Sequence, residues 1–186
     1  MEKEVFTIEQ IAELDNLTIL HLAAPVIVAS GLIECYVGVK KKRNYYEKQD
    51  FMAALWIGAG SAIVGASVRI VLFTSSMMIY NVVPWAIPRS WWGFLVGFVA
   101  VDFLRYWAHR VSHEQRLWWA THVTHHSSEK MNFAISLRTS WTSPLKFLFF
   151  LPVPFLGFDP FTFFVCHQLA VLYQFWVHTE LIRKLP

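Results

Sequence analysis

Residues 109–126 read HRVSHEQRLWWATHVTHH and contain five of the eight histidines of the chain. The first pair, His109 and His113, is spaced i, i+4, which on a helix means about 40° of rotation and about 6 Å of rise, so both imidazoles can reach one metal ion. The second group is an HxxHH pattern whose histidines are His122, His125 and His126. Neutral imidazole nitrogens suit iron, zinc or copper. The spacing therefore predicts a metal centre that these five side chains close from two sides.

The alternative interpretation of the same stretch is a set of interfacial histidines that hydrogen-bond to solvent and lipid headgroups. An isolated HxxxH spacing recurs by chance, but here it is followed nine residues later by HxxHH at the end of an apolar run, which is specific. Five ligands also exceed the four of a structural zinc site. The pattern therefore favours two metal ions over one.

The composition around the histidines is that of a membrane protein. Of the 186 residues, 55% are hydrophobic and only 16% are charged, whereas soluble domains carry about 25% charged residues. Abundant Phe and Trp, without heptads or a glycine period, exclude disorder, coiled coil and collagen. The net charge of +3 is too small to indicate nucleic acid binding. Cys35 and Cys166 lie in apolar runs, so we expect small hydrophobic side chains rather than a disulfide.

The apolar runs predict an all-α integral membrane protein with about four to five transmembrane or re-entrant helices. Residues 17–39, 51–83 and 91–109 predict three spans, the second long enough to imply a tilt, a break or an interfacial tail. Residues 147–176 predict a hairpin, because prolines and a glycine interrupt the middle of the run. Residues 40–43, KKKR, mark the cytoplasmic side. Counting the crossings places the histidines on that same side.

Three regions and a location follow from these spans. Residues 1–16 are acidic and are expected to be a soluble N-terminal segment. Residues 17–92 are expected to form an N-terminal membrane hairpin, and residues 93–186 the catalytic region. The expected location is a multi-pass position in the endoplasmic reticulum of a eukaryote or the inner membrane of a bacterium, with the histidine site facing the cytoplasm.

The motifs HRVSH and HVTHH resemble the first two histidine boxes of the fatty acid hydroxylase and sterol desaturase superfamily, integral-membrane enzymes with a non-haem di-iron centre. Within it, the chain resembles the alkylglycerol monooxygenase subgroup from about Val99 to the C-terminus. The matching residues are Asp102-Phe103 and Tyr106-Trp107, the run HHSSE at 125–129 with Asn132 and Leu137-Arg138, and LYQFWVHTE at 172–180. The resemblance implies two iron ions, O2, an electron donor and a lipid substrate taken from the bilayer.

For the reaction, the resemblance implies oxygen insertion at the ether carbon of an alkylglycerol, with tetrahydrobiopterin as the reductant. A sterol or fatty acyl desaturase or hydroxylase is the alternative, because the boxes set the oxygen chemistry whereas the cavity selects the lipid. The superfamily has a third HxxHH box, which this chain, ending at Pro186, does not contain. We therefore expect a fragment of a longer protein. If the 186 residues are complete, a metal-binding membrane protein without turnover becomes the second alternative.

Three residues beside the boxes are further site candidates. His178 matches a histidine of the family and is a sixth candidate metal ligand. Asp102 precedes His109 by seven residues on the same helix face and is predicted either to pair with Arg105 or to support a ligating histidine. Glu114 matches a glutamate of the subgroup and is a candidate for proton transfer or for contact with the reductant. Its alternative is a solvated surface acid.

The remaining polar residues of the apolar runs receive structural interpretations. His167 is expected to make a buried polar contact or to line a substrate channel, and His21 to make a core hydrogen bond. Arg138 is a candidate for binding a lipid headgroup or for pairing with an acidic residue. Glu34 and Arg69 lie in different predicted spans and are a candidate ion pair.

Overall fold

The computed structural model describes residues 3, 5–10 and 19–182, apart from the side chains of residues 67, 69 and 70. Its regular structure is entirely helical, and the described residues include no strand. The all-α prediction is therefore confirmed. The α-helices are α1 (Ile19–Lys40), α2 (Lys48–Val82), α3 (Trp91–Glu114), α4 (Arg116–Ala120), α5 (Pro152–Phe155) and α6 (Pro160–Phe175), and 3-10 helices cover Phe133–Leu137 and Ser143–Phe150.

The apolar runs of the sequence form the long helices α1, α2 and α3. Among the described residues α1 alone is long and apolar enough to cross a membrane, and α2 would be a second such helix if the segments on both sides of its 41° bend count as one span. This bend agrees with the break predicted for residues 51–83. The third predicted span is a continuous helix that passes His109 and ends at Glu114. The total of four to five membrane segments stays a prediction.

The predicted hairpin is formed by the Ser143–Phe155 helical segment and by α6, which pack against α3. Asp159 begins α6 as its N-cap, because its Oδ1 accepts hydrogen bonds from the backbone N–H groups of Phe161 and Thr162. The hydrophobic core between the hairpin and α3 is formed by Val101, Phe150, Val153, Phe158, Phe163, Cys166 and Ala170. The chain reverses at Gly157, whose φ of +92° favours glycine.

Loop contacts define two ends of the helices. At one end the Ile87 N–H donates to the Gly157 carbonyl at 2.8 Å, which joins the loop before α3 to the tip of the hairpin. At the other end the Asn132 side chain donates to the Tyr45 carbonyl at 2.8 Å. This contact joins the loop between α1 and α2 to the loop that follows the histidine motifs. The basic residues 40–43 and the histidines therefore lie at the same end of the molecule.

Candidate metal centre

The last turns of α3 present the first two histidines on one face. The i, i+4 spacing of His109 and His113 brings their Nε2 atoms to 3.1 Å from each other. After α3 ends at Glu114, the short helix α4 reverses the chain, and a turn at residues 121–126 follows. Within that turn the Nε2 atoms of His122 and His126 lie 3.2 Å apart.

These two pairs face each other and form what we call the four-histidine cluster, His109, His113, His122 and His126. One ligand atom from each residue can be chosen such that all four atoms lie within 4.8 Å of one another. Four nitrogens around one ion with bonds of about 2.0–2.1 Å lie about 3.3 Å apart in a tetrahedron. The cluster therefore has the donors and nearly the spacing that one metal ion needs.

His125 lies beside this cluster and forms a second pair with His178. The Nε2 atoms of His125 and His178 are 3.0 Å apart, although 53 residues separate them in the chain. The His125 ring centroid lies 5.3 Å from that of His122 and 5.2 Å from that of His126. We call His125 and His178 the histidine pair. The cluster and the pair are neighbours, so two adjacent metal positions fit this end of the molecule.

A backbone contact orients the His178 ring of the histidine pair. His178 Nδ1 lies 3.4 Å from the Phe175 carbonyl. A ring nitrogen that donates to a carbonyl leaves the other nitrogen with its lone pair available for a metal ion. The facing Nε2 atoms are therefore the candidate donor atoms.

Burial keeps the loop histidines in the neutral form that binds metals. Desolvation is the largest cause that lowers the pKa of His125 to about 4, and the electrostatic effect of His178 is the second. Desolvation, followed by the positive charge of Lys146, also lowers the pKa of His122. Lys146 is half-buried on the Ser143–Phe150 helix and was not singled out from the sequence. Near pH 7 both imidazoles are neutral, so binding a metal ion requires no loss of protons from them.

The two candidate catalytic carboxylates lie outside this arrangement of donors. Glu114 pairs with Arg110 at 2.8 Å, with the two side chains 57% and 48% exposed, as in the solvated-acid alternative. Glu114 also borders an open cleft of about 310 Å³, which is lined by His113, Glu114, Gln115, Arg116 and Trp119. Asp102 is half-buried on α3 and makes no ion pair or hydrogen bond within the described part of the chain.

Asp102 lacks an ion pair with Arg105 because the arginine side chain turns away from it, towards α6. Its Nη2 lies 3.3 Å from Nε2 of His167, and its guanidinium lies over the Phe150 ring at 5.5 Å from the centroid. The predicted ion pair with Asp102 is therefore not formed, whereas His167 makes the predicted buried polar contact. His21 lies on an exposed face of α1, so the expected core hydrogen bond of that residue is wrong.

Arg138 fixes the loop that carries the second histidine motif. Its side chain is 4% exposed, pairs with the Asp50 carboxylate and donates to Ser127 Oγ at 2.6 Å. Pairing with an acid was one of the two predicted roles, and burial leaves little of the side chain for a lipid headgroup. The sequence did not identify Asp50 as the partner, which lies 88 residues away. The one signal for Asp50 was its position as an acidic residue in the first turn of α2.

Glu34 accepts hydrogen bonds from three donors among the described residues. The Arg69 side chain lies outside the described residues, and the Glu34 carboxylate accepts hydrogen bonds from the Tyr46 hydroxyl, the Phe133 N–H and the Thr179 hydroxyl. The Glu34 side chain that these three donors surround is fully buried. These neutral donors were not revealed by the sequence, and the candidate ion pair with Arg69 stays a prediction.

The fold and the site define an all-helical protein with a histidine-rich candidate metal centre. The chain belongs to the fatty acid hydroxylase family, whose model matches residues 94–186, a region that holds all six candidate ligands. This confirms the resemblance predicted from the two histidine boxes.

Comparison with curated proteins supports the same subgroup. The chain is 39% identical over 142 residues to the alkylglycerol monooxygenase of Xenopus tropicalis, 32% over 191 residues to that of Danio rerio and 34% over 176 residues to that of Homo sapiens. These matches cover 73%, 99% and 88% of this chain but only 31%, 41% and 37% of the relatives. The chain thus spans about two fifths or less of their length. No solved structure gives a significant match.

Proposed function

We propose that this chain holds two non-haem iron ions and takes part in the hydroxylation of a membrane lipid by O2, at the ether carbon of an alkylglycerol. One observation carries the proposal: six histidines form a cluster of four and a pair, with facing Nε2 atoms and adjacent positions. Similarity to alkylglycerol monooxygenases supports an alkylglycerol as the substrate.

The chemistry of the donors fits iron. Imidazole is a ligand that iron accepts, and six of them exceed what one structural zinc ion uses. When bound, iron would supply the activation of O2. The reaction would place one oxygen atom in the C–H bond next to the ether oxygen, and the other would leave as water with two electrons and two protons from a reductant. The hemiacetal product would then separate into a fatty aldehyde and a glycerol.

An apolar groove next to the site supports an alkyl chain as substrate. The groove has a volume of about 390 Å³ and lies between α2 and the Ser143–Phe150 helix, lined by Val64, Val68, Leu72, Trp141, Thr142, Pro144, Leu145, Phe147 and Leu148. Lys146 on that same helix contributes its charge to the four-histidine cluster. The helix therefore borders the groove and the cluster, and we propose that it guides the alkyl chain to the metal ions.

The cleft beside His113 is the proposed contact site of the reductant. Glu114 offers a carboxylate that can accept N–H groups, and the Trp119 indole stacks on His126 at 5.8 Å between ring centroids. A carboxylate next to a flat ring suits a flat heterocycle with N–H donors, such as tetrahydrobiopterin. In this proposal Glu114 binds the reductant, and Asp102 keeps its predicted role of supporting a ligating histidine.

The proposed location is a multi-pass position in the membrane, with the histidines facing the cytoplasm. Two observations support it: α1 is apolar enough to cross a membrane, and the basic loop after α1 lies at the same end as the histidines. Basic loops favour the cytoplasmic side. The membrane would be the endoplasmic reticulum in a eukaryote and the inner membrane in a bacterium.

The decisive experiment supplies the purified full-length protein with iron, O2 and an alkylglycerol, and measures fatty aldehyde with and without tetrahydrobiopterin. We expect aldehyde only when the pterin is present. A desaturated or hydroxylated sterol or acyl product, formed with cytochrome b5 or a ferredoxin instead, would favour the alternative enzymes. Bound metal without any consumption of O2 would contradict catalysis and favour a metal-binding membrane protein.

A further inference from the structure

Glu34 is a buried acid in a helix that lies outside the matched family region. It lies in α1 with a relative exposure of 0%, and Gly38 is the other buried residue of that helix. Burying a carboxylate is unfavourable unless its oxygens are hydrogen-bonded. An apolar side chain would fill such a position at lower cost, so the acid calls for an explanation beyond packing.

The partners of Glu34 lead directly to the histidine pair. Oε2 accepts from the Tyr46 hydroxyl at 2.5 Å and from the Phe133 N–H at 2.8 Å. Oε1 accepts from the hydroxyl of Thr179, the residue that follows His178. Burial and the adjacent Glu34 carboxylate raise the pKa of Tyr46, so the phenol keeps its proton and acts as a donor.

His178 needs an anchor because it lies beyond the end of a helix. α6 ends at Phe175, and His178 follows in a turn. The backbone N–H of His178 donates to the Phe175 carbonyl at 3.2 Å. The Phe133 ring stacks on Phe175 at 4.5 Å between centroids, which holds the end of α6 from the side. The Glu34 carboxylate accepts a hydrogen bond from Phe133, one member of this stacked pair, and another from Thr179, which follows the other member in the chain.

We propose that Glu34 is a positioning residue that holds His178 opposite His125 through the Thr179 hydroxyl. The inference rests on the proposed two-iron site, because the histidine pair supplies two donors of the second position. It extends the site to α1, so the metal centre depends on a helix outside residues 94–186. Tyr46 and Phe133 fix the carboxylate, and Thr179 transmits its position to the histidine.

The test compares iron content per chain in full-length protein purified in detergent, together with the spectroscopic signature of magnetic coupling between two irons. Glu34→Ala should lower the content about twofold, from about two irons to about one, and remove the coupling. Thr179→Val removes only the hydroxyl that links to His178 and should have the same effect. Glu34→Gln should restore most of the second iron, because its carbonyl can accept from Tyr46 and Phe133 while its N–H2 donates to Thr179.

Ser30→Ala is the matched control, because the Ser30 hydroxyl lies one turn before Glu34 on α1 and donates only to the Val26 carbonyl of the same helix, so the variant should retain both irons. A purely structural role for Glu34 would lower both ions together or lower the melting temperature without selectivity. Retention of two coupled irons in Thr179→Val, or loss of both irons in that variant, would overturn the inference even if Glu34→Ala fails to fold. Fewer than two irons in the unmodified protein would instead overturn the proposed two-iron function.

Discussion

At the scale of single residues, His125 is the residue through which the two sets of donors meet. Its ring lies within about 5.3 Å of the His122 and His126 rings, and its Nε2 faces His178 at 3.0 Å. Two neighbouring histidines of one motif thus serve different positions: His126 joins the cluster and His125 joins the pair. Adjacent side chains in a turn point in different directions, which in the proposed two-iron site would allow one short motif to supply donors to both ions.

Replacing His125 by Ala should therefore remove a donor from the second position, lower the iron content from about two ions to about one and abolish turnover. The measurements are elemental analysis of the purified protein and aldehyde formation from an alkylglycerol. His21→Ala is the control, because His21 is exposed on α1 and has no place in the site. Full activity in the His125 variant would refute the assignment of this residue as a ligand.

The ion pair between Asp50 and Arg138 gives a prediction about stability. Breaking a fully buried pair costs about 3–5 kcal/mol, but the Asp50 side chain is 26% exposed, and its backbone carbonyl still accepts from Arg138 at 2.8 Å. Asp50→Asn should therefore lower the free energy of unfolding by about 2 kcal/mol. Denaturant unfolding in detergent measures this change.

The exposed pair of Arg110 and Glu114 is the control for the Asp50 measurement. Both side chains are about half exposed, so water screens their attraction. Arg110→Gln should therefore leave the free energy of unfolding nearly unchanged in the same measurement. An equal loss in the two variants would contradict the view that Arg138 is held by a buried contact.

At the scale of secondary-structure elements, the tip of the hairpin sets how the hairpin meets the loop before α3. Gly157 has a φ of +92°, and a Cβ added to it would lie 2.9 Å from Cδ1 of Trp85 and 3.3 Å from the Ile87 nitrogen. Gly157→Ala adds both backbone strain and a clash. It should destabilise the protein by about 1–3 kcal/mol, measured as a lower melting temperature in detergent.

Gly65 in α2 is the matched control for Gly157, because a Cβ added there meets nothing within 4 Å. Alanine is favoured over glycine inside a helix by about 1 kcal/mol. Gly65→Ala should therefore leave the melting temperature unchanged or raise it. A loss of stability in Gly65→Ala equal to that of Gly157→Ala would mean that the hairpin tip has no special requirement for glycine.

Sequence reasoning succeeded where a local pattern determines the structure. Apolar runs bounded by prolines and charges gave the long helices and the hairpin, and the i, i+4 spacing brought His109 and His113 together. It failed where the partner is remote in the chain. Glu34 bonds to residues 99 and 145 positions away, and the approach of His125 to His178 depends on how α6 packs. The periodicity of a helix relates only residues that are close in the chain, so it cannot predict such contacts.

At the scale of the whole molecule, the distribution of exposed apolar side chains supports a lipid environment. The only buried residues of the apolar helix α1 are Glu34 and Gly38, while Leu22, Leu32 and Ile33 are exposed. Soluble monomers rarely expose apolar surface on this scale. Burial of an acid inside and exposure of leucines outside is the arrangement expected when the surroundings are hydrocarbon.

This arrangement predicts which parts of the molecule are accessible from each side of a membrane. Lys41 and Glu129 are exposed at the histidine end, and Ala86 is exposed at the end where the hairpin reverses. In protein lacking Cys35 and Cys166, Lys41→Cys and Glu129→Cys should react with an impermeant maleimide from the cytoplasmic side of sealed vesicles, and Ala86→Cys only from the opposite side. All three should react after detergent is added, which controls for access. Reaction of all three from one side of intact vesicles would mean that α2 and α3 do not cross the membrane, because these two helices connect the ends of the molecule that carry the labels.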